Sequence, residues 1–116
     1  MDAPRVTKSG RVPLPIEGRG KPEGCKLLRL SAVLEDGEEP VIRSIRIRGD
    51  FFASPEEGFD AVETLLAGTC LRDVAAVFDR LLAEGGVEVS GITGAGVAAV
   101  LRDALEKMAG KGSDEQ

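Results

Sequence analysis

The chain has 116 residues, a net charge of −5 and an apolar fraction of 42%, as expected for one globular domain with a modest core. It contains no histidine, which excludes histidine-based nucleophilic triads and imidazole as a general base or metal ligand. No apolar run approaches the roughly 18 residues that span a bilayer, and Met1–Arg5 lacks a hydrophobic signal region. We therefore expect a cytoplasmic protein that does not enter membranes.

The charge is divided unevenly along the chain. Residues 1–52 carry ten Lys and Arg against eight Asp and Glu, whereas residues 53–116 carry five against twelve. The acidic second half argues against nucleic acid as the main partner, because phosphate binding needs a basic surface. A weak basic patch around Arg43, Arg46 and Arg48 is either a contact for an acidic protein or a nucleotide, or simply the solvated face of a sheet.

An N-terminal arm is predicted over residues 1–20. Within it, Arg11–Ile16 is either an edge strand or a free extended segment, because its two prolines would interrupt a central strand. Residues 18–24 are predicted to form a loop whose glycines lack the spacing of a phosphate-binding loop. Strands are predicted over residues 25–35 and 41–48, where apolar and polar residues alternate. The Asp-Gly turn between them predicts an antiparallel hairpin.

The first of three predicted helices has a clear start signal. Ser54 is the expected N-cap, Pro55 the first helical residue, and Glu57 the partner of Ser54 in a capping box. Gly68 is expected to end this helix. The apolar stripe that we expect to be buried comprises Phe59, Val62, Leu65 and Leu66.

The second half of the chain repeats the helical pattern. A second helix is predicted from Leu71 to Glu84, and a third from Gly94 to Met108 with Thr93 as its cap. Val87–Val89 between them is a candidate third strand, and residues 110–116 are predicted to be a flexible tail. The fold class is therefore α+β, with an antiparallel sheet of two to three strands packed against about three helices.

Residues at the end of the second predicted strand are the sharpest functional candidates. Asp50 follows Gly49 there and either faces a ligand or partner, or is a turn residue beside a glycine of unusual dihedral angle. Phe51 and Phe52 are predicted to enter the core. For Lys26, at the start of the first strand, either the stem extends to the sheet edge or the strand register begins one residue later. Contact between its amine and a nucleotide phosphate is one function left open.

The cysteines do not suggest a site of their own. Cys25 and Cys70 lack the C-x-x-C spacing of a zinc or redox centre and are predicted to be reduced, partly buried thiols. We predict no catalytic residues and no metal ligands in this chain. The absence of a catalytic constellation favours a subunit or accessory domain over a self-sufficient enzyme.

Three motifs together resemble the C-terminal accessory domain of lipoate–protein ligases. They are a Gly-Lys-Leu-like strand start at residues 24–27, the strand end I-R-G-D-F-F at residues 47–52 and the helix start P-E-E at residues 55–57. The resemblance assigns residues 21–109 to such a domain, between the arm and the tail. Cys25 departs from the pattern, which has glycine before the lysine.

The resemblance implies a non-catalytic subunit of a two-part ligase. A separate catalytic subunit would use ATP to convert lipoate to lipoyl-adenylate and then modify a lysine of a lipoyl carrier protein. This chain would bind no cofactor alone, and its fold would be similar to that of iron–sulfur scaffold and sulfur-acceptor proteins. Candidate partner- or ligand-facing positions are Lys26, Gly49 and Asp50, supported by the structural motif Phe51, Phe52, Ser54, Pro55 and Glu57.

Two alternatives to that function remain open at this point. The first is a free-standing scaffold or sulfur-acceptor protein that uses Cys25 or Cys70, which requires an exposed thiol of low pKa. The second is an interaction module with no link to lipoate.

Overall fold

Two antiparallel sheets and three helices make up the part of the chain that the structure, a computed structural model, describes: residues 13–35 and 37–114. In chain order the elements are β1 (Pro13–Gly20), β2 (Leu28–Glu35), β3 (Val41–Gly49), β4 (Phe52–Ser54), α1 (Glu56–Leu65), a short 3₁₀ helix (Leu71–Asp73), α2 (Val74–Gly85), β5 (Glu88–Ser90) and α3 (Gly94–Asp114). Strands β1, β2 and β3 form one sheet in that order, and β4 pairs with β5 in a second. The predicted α+β class is confirmed.

The larger sheet has one buried and one exposed face, as the alternation predicts. The buried residues of β2 and β3 are Leu28, Leu30, Ala32, Leu34, Ile42, Ile45 and Ile47. Between them, arginine and serine side chains point to solvent. A register shift opposite Val33 and Leu34 places Arg43 in a bulge of β3. The hairpin and both of its faces are therefore confirmed, with β2 beginning at Leu28 and not at residue 25.

Strand β1 incorporates part of the predicted arm and part of the predicted loop. It pairs with β2 from Pro13 opposite Glu35 to Gly20 opposite Leu28 and forms an edge of the sheet. The loop prediction for residues 18–20 was wrong. Gly18 lies directly on α3, where an added Cβ would be 2.8 Å from the Cβ of Ala104, so its glycine serves close packing. Residues 1–12 of the predicted arm lie outside the described residues.

The helices cover the buried face of the sheet. Helix α3 packs on β1 and β2, α1 packs on β3, and α2 packs on both of these helices. Three phenylalanine rings run through this layer: the Phe59 ring centroid lies 5.1 Å from that of Phe51 and 6.1 Å from that of Phe78. None of the helices in the described part of the chain has the length and apolar character required to cross a membrane.

The predicted capping box at α1 is wrong. Ser54 belongs to β4, the N-cap position is Pro55, and no side chain caps this helix. Pro55 therefore precedes the first helical residue, while Glu57 lies in the first turn, where its charge favours the helix N-terminus. The stripe prediction fails at one position, because Leu65 is 59% exposed.

The region around β5 differs from the sequence prediction in its pairing. Residues 88–90 pair with β4 and do not extend the large sheet. Thr93 does cap α3, as predicted, since its Oγ1 accepts a hydrogen bond of 2.9 Å from the Gly96 amide. The sequence places the end of this helix too early, because α3 continues past Met108 to Asp114.

Candidate protein-interaction site

Three chain segments that are distant in sequence meet at one end of the large sheet. We call residues 22–27, 49–52 and 90–93 together the loop cluster. The Lys26 amide donates a hydrogen bond of 2.8 Å to the carbonyl of Gly91, and the Asp50 amide donates one of 3.0 Å to the carbonyl of Leu27. The structure thus brings together the three residues that the sequence singles out, Lys26, Gly49 and Asp50.

Two glycines permit the segments to approach one another. Gly49 has a φ of 149°, and a Cβ there would overlap the carbonyl oxygen of Leu27. Gly91 has a φ of 87°, and a Cβ there would lie 2.7 Å from Cγ of Lys26. The stem of Lys26 therefore lies across Gly91. A side chain at Gly49 would push the two backbones apart, and one at Gly91 would displace the stem of Lys26.

The two adjacent phenylalanines of the G-D-F-F motif have different environments. Phe51 is half-buried and stacks at a tilt on Phe59, as the core prediction requires. Phe52 is 61% exposed, so the prediction that it enters the core is wrong. Neighbouring residues of an extended segment point to opposite faces, and only one of the pair can turn inward. An aromatic side chain this exposed is a candidate anchor for a protein partner.

Cys25 is buried inside the loop cluster. It ends a tight turn in which its amide bonds to the Pro22 carbonyl at 2.9 Å and Gly24 has a φ of 79°. Its Sγ is 3.5 Å from Oγ1 of Thr93, and its side chain is accommodated because Gly96 has no Cβ to collide with the sulfur. The departure from the expected glycine is thus balanced by a glycine on α3.

Gly94, two residues before Gly96, also serves packing. Gly94, the first residue of α3, lies against α2, where a Cβ would overlap the carbonyl oxygen of Ala75. Its amide donates a hydrogen bond of 2.9 Å to Oδ1 of Asp79. Sequence reasoning missed Asp79, because a carboxylate that caps another helix leaves no local pattern.

The exposed side chains of the loop cluster suit contact with another molecule. Lys26 and Asp50 are exposed, and within the described residues neither side chain has a hydrogen bond or ion pair. Leu27 and Phe52 add exposed apolar surface. Across the described ranges, no three Cys, Asp or Glu side chains are grouped to hold a metal ion. The cluster therefore offers the cation Lys26, the two exposed carboxylates Glu23 and Asp50, and the exposed ring of Phe52, a combination that supports recognition.

Comparison with known proteins gives one structural likeness. No family model and no curated protein matches the chain. Among solved structures, it is similar to a chain of an archaeal lipoylation system, described as a bi-partite lipoate protein ligase and its lipoyl domain from Thermoplasma acidophilum. The TM-score is 0.56 and the identity 24%, and the match covers 78% of this chain and 96% of the other. The two chains share a fold.

Proposed function

We propose that this protein is the non-catalytic accessory subunit of a two-part lipoate–protein ligase. Its role is to support the ATP-dependent adenylation of lipoate by a separate catalytic subunit. The observation that carries the proposal is the fold shared, along nearly the whole of the other chain, with a component of a lipoylation system that comprises a bi-partite lipoate protein ligase and its lipoyl domain. The loop cluster supports it independently, because it carries the G-D-F-F motif of the ligase accessory domain and exposes Phe52.

In this proposal the loop cluster is the surface that meets the catalytic subunit. Lys26 and Asp50 would form charged contacts at its rim, and Phe52 would bury its ring against the partner. Gly49 acts indirectly, since it permits the backbone approach that positions Asp50. Lipoate, ATP and the lipoyl carrier protein would all bind to the catalytic subunit.

A sulfur-acceptor function fits the structure less well. That chemistry needs an accessible thiolate, whereas Cys25 is only 8% exposed and is held against Thr93. Cys70 is half-buried beside Val41, to which it is joined by a β-bridge. We therefore do not propose this function.

The test is formation of lipoyl-adenylate by a short ligase catalytic chain that lacks an accessory domain. Adding this protein should raise the rate with lipoate and ATP, as measured by mass spectrometry of the adenylate. Phe52→Ser should lower that stimulation by about thirtyfold at limiting concentrations, because loss of a central aromatic anchor costs roughly 2 kcal/mol of binding. Leu65→Ser is the matched control, since Leu65 is 59% exposed and Phe52 61%, but Leu65 lies outside the loop cluster.

Two results would contradict the proposal. One is no binding and no stimulation of any short catalytic chain of this kind. The other is lipoylation of this chain itself, seen as the mass of one lipoyl group on a lysine, which would make the protein an acceptor.

A further inference from the structure

The outer face of the large sheet carries a line of arginines. Strand pairing places Arg19 of β1 opposite Arg29 of β2, and Arg29 opposite Arg48 of β3. All three are exposed, on the face away from the helices. Directly opposed residues on antiparallel strands have Cβ atoms about 5 Å apart. Three arginine side chains are thus attached at neighbouring positions on β1, β2 and β3.

A fourth arginine widens this line. Arg46 is two residues from Arg48 on the same face of β3 and pairs with Ser31, which in turn pairs with Glu17. Within the described residues, Arg48 forms an ion pair with Glu63 at 3.2 Å, and Arg19, Arg29 and Arg46 have none. We call Arg19, Arg29, Arg46 and Arg48 the arginine face.

The ion pair with Glu63 gives Arg48 a structural role, but no contact within the described residues explains Arg19, Arg29 and Arg46. Like charges directly opposite each other on neighbouring strands destabilise a sheet, and exposed arginines contribute nothing to the core. The chain as a whole is acidic, with a net charge of −5, so solubility does not require a cluster of positive residues. A charge cluster that costs stability in the free protein is best explained by a ligand of opposite charge.

The shape of the arginine face indicates a protein ligand. It borders two open depressions of about 710 and 750 Å³, both lined by Glu17, Ser31, Arg46 and Arg48. Such shallow, open surfaces suit an extended segment better than a small enclosed ligand. The arginine fork matches a carboxylate in two-point geometry. Nucleic acid fits less well, because the depressions are also lined by Asp103 on one side and by Asp60 and Glu63 on the other. A long, continuous polyanion would meet these carboxylates as well as the arginines.

We propose that the arginine face docks a carboxylate-rich segment of a partner protein. This surface adjoins the loop cluster, since Arg48 immediately precedes Gly49 in β3. The two surfaces differ in chemistry: the arginine face would bind its partner through positive charge alone, whereas the loop cluster also offers the exposed ring of Phe52. The inference goes beyond the proposed function and requires neither lipoate nor ATP.

The test uses the full chain and a fluorescein-labelled oligoglutamate peptide, followed by fluorescence anisotropy at several salt concentrations. The wild type should bind, and binding should weaken as salt rises because the charges are exposed. The double variant Arg19→Ser/Arg29→Ser should bind at least about tenfold more weakly. The matched control Arg80→Ser/Arg102→Ser removes the same charge from α2 and α3 and should stay within about twofold of the wild type.

Three outcomes would overturn the proposal. They are an absence of salt-dependent binding, an equal loss in the two double variants, and tighter binding of a single-stranded oligonucleotide than of oligoglutamate. Melting temperatures of both variants, measured by circular dichroism, establish that each is folded. Since no step of this test involves lipoate, failure here and failure of the ligase proposal are separate results.

Discussion

At the scale of single residues, Gly49 is the position on which the loop cluster most depends. Its φ of 149° and the adjacent Leu27 carbonyl leave no space for a side chain. The same residue precedes Asp50, whose amide bonds to that carbonyl. A backbone requirement and a candidate contact thus occupy neighbouring positions, and mutation of the glycine tests the scaffold without removing any functional group.

We expect Gly49→Ala to lower the free energy of unfolding by at least about 3 kcal/mol, from strain plus steric overlap. Gly24→Ala is the control, because Gly24 also has a positive φ, 79°, but an added Cβ would meet nothing within 4 Å. That variant should lose only about 1 kcal/mol. Urea unfolding followed by circular dichroism measures both. Equal losses would show that overlap with Leu27 has no consequence.

At the scale of secondary-structure elements, the success of the sequence predictions follows the range of the interactions. Alternation predicts β2 and β3 because each residue's face is set by its immediate neighbours. Ser54 shows the limit: its local sequence fits a helix cap, yet pairing of β4 with β5, distant along the chain, places it in a strand. The local sequence of Gly18 and Gly20 predicts a loop for the same reason. Their place in β1 depends on pairing with β2 and packing on α3, both distant along the chain.

The sequence predicts part of the candidate site. It singles out Lys26, Gly49 and Asp50 by their positions at strand ends, and the structure brings these residues together. The sequence does not predict that Phe52 is exposed, because which of the two adjacent phenylalanines is buried depends on which one contacts Phe59. Whether these residues contact a partner stays a prediction.

The arginine line across the three strands has a measurable effect on stability. Replacing Arg29, which faces an arginine on each side, with threonine should raise the free energy of unfolding by about 0.2–1 kcal/mol, because repulsion is relieved. Thermal unfolding at low and high salt tests this. The gain should shrink at high salt, where exposed charges are screened. A gain unaffected by salt would indicate strand propensity as its cause, and a loss would show that Arg29 stabilises the sheet.

At the scale of the whole molecule, the sheet and helices depend on β1. Ile16 is buried, and Gly18 meets Val100 and Ala104 of α3, so this edge strand is part of the core layer. The boundary that the resemblance places after residue 20 would divide that layer. We therefore expect the unit of folding to include β1, from Pro13 onward.

We expect a chain that begins at Lys21 to lose cooperative unfolding. Without β1, the edge of β2 that pairs with it has no partner, and apolar residues of α3 become exposed. A chain that begins at Pro13 keeps all of β1 and should be markedly more stable. Calorimetry of the two chains provides the comparison. Similar melting temperatures would mean that β1 is dispensable and that the boundary after residue 20 is correct.

The contact between Gly18 and Ala104 also affects how the protein is made. A ribosome releases the hairpin strands long before it has synthesised α3, so the apolar face of the sheet has no cover for much of translation. Native structure at this surface must wait for the last helix, since contacts this far apart in sequence form late. The apolar face of the sheet consequently stays exposed in the nascent chain until α3 is made, and insertion of a slowly translated segment ahead of α3 would lengthen that exposure.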